Sequence, residues 1–267
     1  MNGNDSAAKM VAVLGLGEAG SLLARDLVRG GAIVRGWDPD FHGDLSEIPR
    51  AASLAAAVAG ADIVISVNWA TVAAGVAREA LPHLHRGMIY ADHNTAGPKL
   101  KEELAAIVAP CGAAFVDVAM MAPVPPLGMH VGMFMAGDGA EELAAFYRHF
   151  GTPVGFIGTK PGEANARKLT RSVFFKGMSS SLWEALEAAR AVGVEDWLRS
   201  DIIRTFVEAD AATIDRLIDG TAKHAVRRGH EMRDAEAMLL DLGTPTTMTT
   251  ATAESLERIA SEKAAHR

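Results

Sequence analysis

The 267-residue chain predicts an α/β layer fold joined to an all-helical region, and three observations carry that prediction. From residue 10 to about 157, short β-branched or apolar runs alternate with alanine-rich stretches of helical length, the rhythm of βαβ units around a parallel sheet. A cluster of glycines closes the first apolar run just before a helical pattern begins. After Pro161 no strand-like run recurs, and the pattern stays helical almost to Arg267.

The elements follow in order. The opening segment MNGNDSAAKM is polar, and the first strand is expected at MVAVLG (10–15), with a helix over EAGSLLARDLVRGG behind it. Further strands are expected at 32–37 (AIVRGW), 62–67 (DIVISV), 88–92 (MIYAD), 114–119 (AFVDVA), 132–137 (GMFMAG) and 154–158 (VGFIG), with helices filling the gaps. That gives a first domain over residues 1–161. From Gly162 to about Gly193 the pattern is one helix, about 48 Å long at about 1.5 Å per residue, which outruns a single small core and spans into the second domain. Residues 162–267 thus comprise the interdomain helix and a helical substrate and dimerisation domain, punctuated at Asp219-Gly220 and at DLGTP (241–245), with TPTTMTT as the turn opening the last helix. The roughly seventy residues beyond the long helix are marginal for an independent core. Burial of their apolar face against a second copy resolves the shortage, so a homodimer is expected.

Composition narrows the function classes. The formal charge is −7, from 26 Lys and Arg against 33 Asp and Glu, which argues against a nucleic-acid partner. No segment offers eighteen uninterrupted apolar residues, so no membrane partner is expected. The single cysteine, Cys111, excludes an internal disulfide framework and a CxxC metal site and fits a reducing, cytoplasmic compartment. Beside Gly112 it reads as a small hydrophobe. His83, His85 and His93 lack metal-ligand context and read as surface or hydrogen-bonded histidines, so no metal is expected.

The glycines carry the first chemistry. In VLGLGEAG, Gly15 permits the tight turn out of the strand, Gly17 lets a pyrophosphate approach the main chain, and Gly20 allows close packing of helix on strand. The phosphate then meets the helix N-terminus, where unpaired N–H groups and the positive end of the dipole favour an anion. Gly15, Leu16, Gly17, Glu18, Ala19 and Gly20 are therefore assigned to a Rossmann dinucleotide site. Asp38 ends the second strand eighteen residues after Gly20, where a carboxylate accepts hydrogen bonds from an adenine ribose diol and repels a 2′-phosphate. NAD is the expected cofactor; Arg35 and Arg50, close by in sequence, keep NADP open.

With those residues, and with ADHNTAGP (91–98) and PGEANARKL (161–169), the chain resembles the β-hydroxyacid dehydrogenases, the group that includes 6-phosphogluconate and 3-hydroxyisobutyrate dehydrogenases. It is most similar to a branch with a short helical C-terminal domain. The resemblance implies an NAD(P)-dependent oxidoreductase that moves hydride between nicotinamide and the CH–OH or carbonyl carbon of a small hydroxy-acid-like substrate. It places Thr95 near the nicotinamide ribose or ring and Val67 and Asn68 at the nicotinamide half, with Asn94 in place of the usual serine. Lys168, six residues after Gly162, matches the catalytic lysine, but Ser172 stands where the family has asparagine, so Ser172 would orient the substrate oxygen with a shorter donor. The substrate loop, D-A-P-V-S-G-G in typical members, reads DVAMMAPVP from Asp117. Met121, Ala122 and Pro123 replace its serine and paired glycines, removing a hydroxyl and, at Pro123, an N–H. Met120, Met121 and Met129 suggest a roomier, more apolar pocket.

From the residues themselves, Lys168, Ser172 and Ser179 recur on one helical face with Asn165 beside them. As a base near neutrality Lys168 would need burial to destabilise its charged form, and as a cation it can donate to a carbonyl oxygen. His224, Arg227, Arg228 and Glu231 fall at i, i+3, i+4 and i+7, with His230 on an adjoining face. His224, Arg227 and His230 would clamp a substrate carboxylate, or else the segment is a solvated or dimer-contact face of ion pairs. The alternatives are an imine reductase, which shares the architecture, and a dinucleotide-sensing protein without turnover, favoured by the missing asparagine and the rewritten loop.

Overall fold

The computed structural model describes residues 9–41, 43 and 46–265. Two compact units divide the chain, one ending at Arg171 and the other beginning at Ser172. The boundary therefore falls inside a helix, ten residues beyond the expected break at Pro161, because the first turns of that helix bond to the sheet domain.

In the first unit, strands β1 (Met10–Leu14), β2 (Ile33–Trp37), β3 (Ile63–Ser66), β4 (Ile89–Asp92), β5 (Ala114–Met120), β6 (Met133–Ala136) and β7 (Val154–Gly158) form one sheet in the order β2-β1-β3-β4-β5-β6-β7. All neighbours are parallel except β5 and β6, which pair antiparallel with Asp117 opposite Ala136 and Met120 opposite Met133. The expected all-parallel sheet is corrected at this one pair. A parallel return needs a crossover, usually helical, and the link carries Pro123, Pro125 and Pro126, which forbid one.

Strand residues alternate between two buried faces. Val11, Val13, Ile63, Ile65, Ile89, Val116 and Val118 pack on one side, and Ala12, Leu14, Val64, Tyr90 and Phe115 on the other. The period-2 pattern of side chains, buried on both faces, is what gives the strands their near-continuous apolar runs. Helix α1 (Glu18–Arg29) covers the first face through Leu23, Ala24 and Leu27. Helices α2 (Leu54–Val58), α3 (Ala70–Ala80) and α4 (Pro98–Val108) cover the second. Helix α5 (Ala140–His149) returns to the first with Leu143, Phe146 and Tyr147.

Helix α6 (Glu163–Ala191) runs 29 residues. In the second unit it is followed by α7 (Glu195–Glu208), α8 (Ala211–Asp241) and α9 (Thr247–Ala265). Asp210 caps α8 by accepting from Thr213 N at 2.8 Å, with the reciprocal Thr213 bond completing a capping box. The buried Glu184 accepts from Met248 N and Thr249 N, both at 2.8 Å, and so caps the start of α9. Asp219-Gly220 is not a break, contrary to expectation: α8 passes through it, and the bend comes instead at His224 (φ −116°, ψ 21°). Glycine at 220 makes room for an arginine, since a Cβ there would lie 3.0 Å from the Arg228 guanidinium, which bonds Thr221 Oγ1 at 2.9 Å. Helix α7 buries none of its residues, while Trp197 and Val207 on it are 66% and 80% exposed. No helix among the described residues is long and apolar enough to cross a membrane.

Candidate functional site

The C-terminal ends of β1, β2, β3 and β4 open onto one cleft of about 960 Å³, lined by the glycine loop, residues 37–41, one face of α3 and residues 93–95. Strand ends at this edge are where doubly wound sheets bind ligands. The three glycines serve different ends. At Gly15 (φ +107°) a Cβ would sit 2.2 Å from the Val67 carbonyl oxygen, and at Gly20 it would sit 1.9 Å from that of Gly15, so both are required by the fold itself. At Gly17 a Cβ would meet no protein atom within 4 Å. Packing does not demand glycine there, whereas a diphosphate lying on the main chain in front of α1 does. The residues present therefore fit a dinucleotide. Leu16 is corrected in part: its side chain is fully buried in the core, and its N–H is donated to Asp38 at 2.7 Å, so it shapes the loop rather than the cleft.

Asp38 accepts that bond through Oδ2 and one from Asp40 N at 2.9 Å through Oδ1, which fixes the carboxylate at the end of β2 facing the cleft. The two arginines that kept NADP open differ. Arg35 donates to the carbonyls of Ala56 and Ala59 at the end of α2, at 3.3 and 2.9 Å. Arg50 donates to the Asp38 carbonyl at 3.1 Å.

Toward the other end, Asn68 N donates to Asn94 Oδ1 at 2.6 Å, and the Asn94 amide donates to Asp92 Oδ1 at 2.5 Å and to Asn68 Oδ1 at 3.2 Å. Asn94 thus ties the end of β3 to the end of β4, a bridge that a serine is too short to make in full. Asp92 is in turn part of a buried cluster absent from the sequence-based expectations. Lys101, on α4, donates to Asp92 Oδ2 at 2.5 Å, to the carbonyls of Asp92 and Asn94 at 3.1 and 2.7 Å, and lies 3.2 Å from Asp117 Oδ1; all three side chains are fully buried. Burial raises the Asp92 carboxyl above its usual range despite the Lys101 charge, which lowers it. Asp117 also accepts from Gly162 N and Asn165 N, both at 3.1 Å, and from the Asn165 amide at 2.5 Å. One carboxylate on β5 therefore fixes the first turn of α6 to the sheet.

That anchoring sets Lys168 and Arg171. The half-buried Lys168 donates from Nζ to Thr95 Oγ1 at 2.7 Å, at the mouth of the cleft. Arg171 donates from Nη1 to the Met121 carbonyl at 3.2 Å. His93 lines the same cleft but is buried, with Nδ1–H donating to the Ala91 carbonyl at 3.2 Å and Nε2 accepting from Tyr147 Oη at 2.9 Å. Burial, aided by the charges of Lys101 and Lys168, pushes its pKa down to about 3, so the ring is neutral at physiological pH and is a poor base. Tyr147, buried, has its own pKa raised and stays protonated as the donor.

Of the substrate loop, Met121 donates its N–H to the Gly132 carbonyl at 2.8 Å and packs against Ala119, Ala136 and Ala164, while Ala122 and Pro123 are exposed. Met120 lines the cleft, but Met129 is a core residue whose N–H bonds Asp26, so it does not widen a pocket. Ser172 lies one turn beyond Lys168 on α6. In the second unit His224, Arg227 and His230 are exposed on α8, the bend at His224 breaks the helical register linking it to the others, and Arg227 pairs with Glu231. Among the described residues no group of three or more His, Cys, Asp or Glu gathers as a metal site.

Residues 10–125 match the family model described as the NAD binding domain of 6-phosphogluconate dehydrogenase. That match lies within the first unit. This NAD-binding domain is followed by residues 189–259, which match a domain of unknown function. A conserved hypothetical protein from Sinorhizobium meliloti 1021 is 29% identical over 93% of this chain and 87% of its own, with a TM-score of 0.61. A conserved protein of unknown function, described as structurally similar to 3-hydroxyacid dehydrogenases, is 27% identical over 95% of this chain and 98% of its own, with a TM-score of 0.62. An imine reductase from Myxococcus stipitatus, a variant in complex with NAD+, has a TM-score of 0.81 at 19% identity over 96% and 94%, a likeness of fold. An NAD-binding domain similar to that of 6-phosphogluconate dehydrogenase, in a chain similar to a protein with structural likeness to 3-hydroxyacid dehydrogenases, supports an NAD(P)-dependent oxidoreductase.

Proposed function

We propose that the protein interconverts a secondary alcohol and a carbonyl on a small hydroxy-acid-like substrate, with Lys168 handling the proton on the reacting oxygen. One observation carries this reading: the Lys168 amine stands 2.7 Å from Thr95 Oγ1 at the mouth of the dinucleotide cleft, on a helix whose first turn is bonded to Asp117. A solvated surface lysine has no need of such an anchor. A nicotinamide in the cleft would supply or accept the hydride at the carbon. Thr95 aims the amine, and Lys168 donates a proton to the oxygen when the carbonyl is reduced and withdraws it when the alcohol is oxidised. Ser172, one turn on, orients that oxygen. His93, neutral and hydrogen-bonded at both nitrogens, takes no proton-transfer part.

The test is a screen of alcohols, hydroxy acids, oxo acids and cyclic imines followed at the nicotinamide absorbance. Lys168→Ala should lower kcat on the best alcohol or oxo-acid substrate by about 10²- to 10⁴-fold while leaving the Kd for NADH unchanged. A loss within a few-fold, or turnover confined to imines, overturns the assignment.

The same reading includes a homodimer built on the second unit, supported by the large apolar side chains that α7 and α8 leave exposed, among them Trp197, Phe206, Val207 and Ile218. Sedimentation at micromolar concentration should give twice the chain mass; a monomer refutes it.

A further inference from the structure

The Lys168 and Thr95 side chains meet at 2.7 Å although they come from separate parts of the fold, Lys168 from the second turn of α6 and Thr95 from the loop between β4 and α4. A lysine side chain gives up rotamer freedom to hold one position, so such a bond persists only where both backbones are fixed. On the loop, the Asn94 carbonyl accepts from Lys101 Nζ at 2.7 Å, and Ala96 N donates to Asn165 Oδ1 at 3.4 Å. The residues on either side of Thr95 are thus each tied down. On the helix, Asp117 Oδ2 takes the N–H groups of Gly162 and Asn165, both at 3.1 Å.

The two restraints run to one oxygen. Asp117 Oδ1 accepts from the Asn165 amide at 2.5 Å and lies 3.2 Å from Lys101 Nζ. Lys101 also donates to Asp92 Oδ2 at 2.5 Å and to the Asp92 carbonyl at 3.1 Å. Its ammonium, a point charge with three donors, therefore sits among four oxygens drawn from β4, the loop after it and β5. Helix α4, which carries Lys101, completes the frame: at Gly162 a Cβ would stand 2.9 Å from Pro98 Cα, so the residue before α6 packs on the residue that opens α4. Stability alone does not account for a charge here. Lys101 shares the inward face of α4 with Leu104 and Val108, and apolar residues of like volume in place of a whole buried ion cluster often leave a fold as stable or more so.

We infer that Lys101 is a positioning residue: its buried ammonium fixes the spacing between Thr95 and Lys168, and with it the point at which the Lys168 amine is presented. The inference rests on the reading above for Lys168. Without the ammonium, the Asp92 and Asn94 carbonyls lose this donor and the loop carrying Thr95 is held on one side only. Asp117 still holds α6 but no longer couples it to that loop through Lys101. A displacement of about 1 Å at a reacting group is enough to cost about 10²-fold in rate, so a fully buried residue can govern the chemistry from behind the cleft.

The experiment labels the full-length protein, saturated with NADH, with trace trinitrobenzenesulfonate and reads the rate at each lysine by peptide mass spectrometry, the exposed Lys223 serving as internal standard. Lys101→Met should change the Lys168 rate by more than about twofold, the scale of one lost hydrogen bond. Should Lys101→Met fail to fold, Lys101→Met combined with Asp92→Asn removes the ammonium together with one carboxylate, leaves Asp117 its bonds from Gly162 and Asn165, and should give the same change. A smaller change in a folded variant overturns the inference. On the alcohol or oxo-acid substrate found by the screen above, the folded variant should lose about 10- to 100-fold in kcat. Its Kd for NADH should stay within about threefold, because the glycine loop and Asp38 hold the dinucleotide elsewhere. In a Lys168→Ala background the same substitution should change kcat by less than about twofold, since no amine remains to be misplaced. A loss as large without Lys168 as with it means a general loosening of the cleft and overturns the inference. The two readings fail separately. A changed labelling rate in a protein whose kcat Lys168→Ala leaves intact keeps the positioning and removes the Lys168 role, and an unchanged rate in one that Lys168→Ala disables removes the positioning alone.

Discussion

His93→Asn separates a buried neutral imidazole from a catalytic one. The ring is 1% exposed, bonded to Tyr147 and Ala91, and its pKa falls from 6.5 to about 3 on folding. Between those values the unfolded chain takes up a proton that the native state refuses, so native stability is intact above about pH 6.5 and declines as the pH falls toward about 3. Each pH unit inside that window costs about 1.4 kcal/mol, so at pH 5 the wild type has lost about 2 kcal/mol through this one group. At pH 7 the asparagine variant should be less stable by about 2–3 kcal/mol, for the lost ring packing and the orphaned Tyr147 hydroxyl. At pH 5 that deficit should have nearly closed, because the variant has no imidazole to protonate on unfolding. Asp92, whose raised carboxyl titrates in the opposite sense, is common to both proteins and cancels in the difference. Urea denaturation of both at pH 7 and pH 5 reads the effect. A deficit that is the same at both, within about 0.5 kcal/mol, would mean that the imidazole charges in the native state as easily as in water, and the description of His93 as locked neutral would fall.

Other variants separate fold from ligand. Gly17→Ala should leave the denaturation midpoint nearly unchanged yet weaken NADH binding by about tenfold or more, since the new methyl enters the space of the diphosphate; Gly15→Ala should instead destabilise the protein, by about 2 kcal/mol or more, through its left-handed φ and the Val67 carbonyl. Asp38→Ala should narrow the preference for NAD over NADP, read as the ratio of Kd values by fluorescence titration, and an unchanged ratio refutes the role of the carboxylate. Lys101→Met should cost about 3–5 kcal/mol in chemical denaturation, because it strands Asp92 and Asp117 without their cation in a dry interior; a cost under about 1 kcal/mol would show that the cluster is not held by charge.

Most of the fold is legible in the sequence because buried parallel strands declare themselves. All seven strands sit within a residue or two of their apolar runs, and α6 lies within the span 162–193. What periodicity does not report is direction: β6 has the composition of its parallel neighbours and runs against β5, a fact encoded only in the three prolines of the link. Nor does a glycine disclose its partner. Gly220 follows an aspartate as a turn glycine would, yet it lies within α8 as the space that accommodates Arg228, eight residues ahead. Helix α7 shows a further limit, since its apolar residues imply burial while nothing in the pattern says against what.

The site divides along a similar line. Gly15, Gly17, Gly20 and Asp38 are legible because their spacing is set within one βαβ unit, by the geometry of a single turn and the strand that follows. The buried cluster is assembled from β4, α4, β5 and α6, and no local spacing relates Asp92, Lys101, Asp117 and Asn165. One signal was nevertheless present. Lys101 stands three residues before Leu104 and seven before Val108, the inward-facing positions of α4, so the helical period itself puts an ammonium on an apolar face. A cation so placed requires a buried anion, and the strands on either side of α4 each carry an aspartate, Asp92 at the end of β4 and Asp117 in the middle of β5.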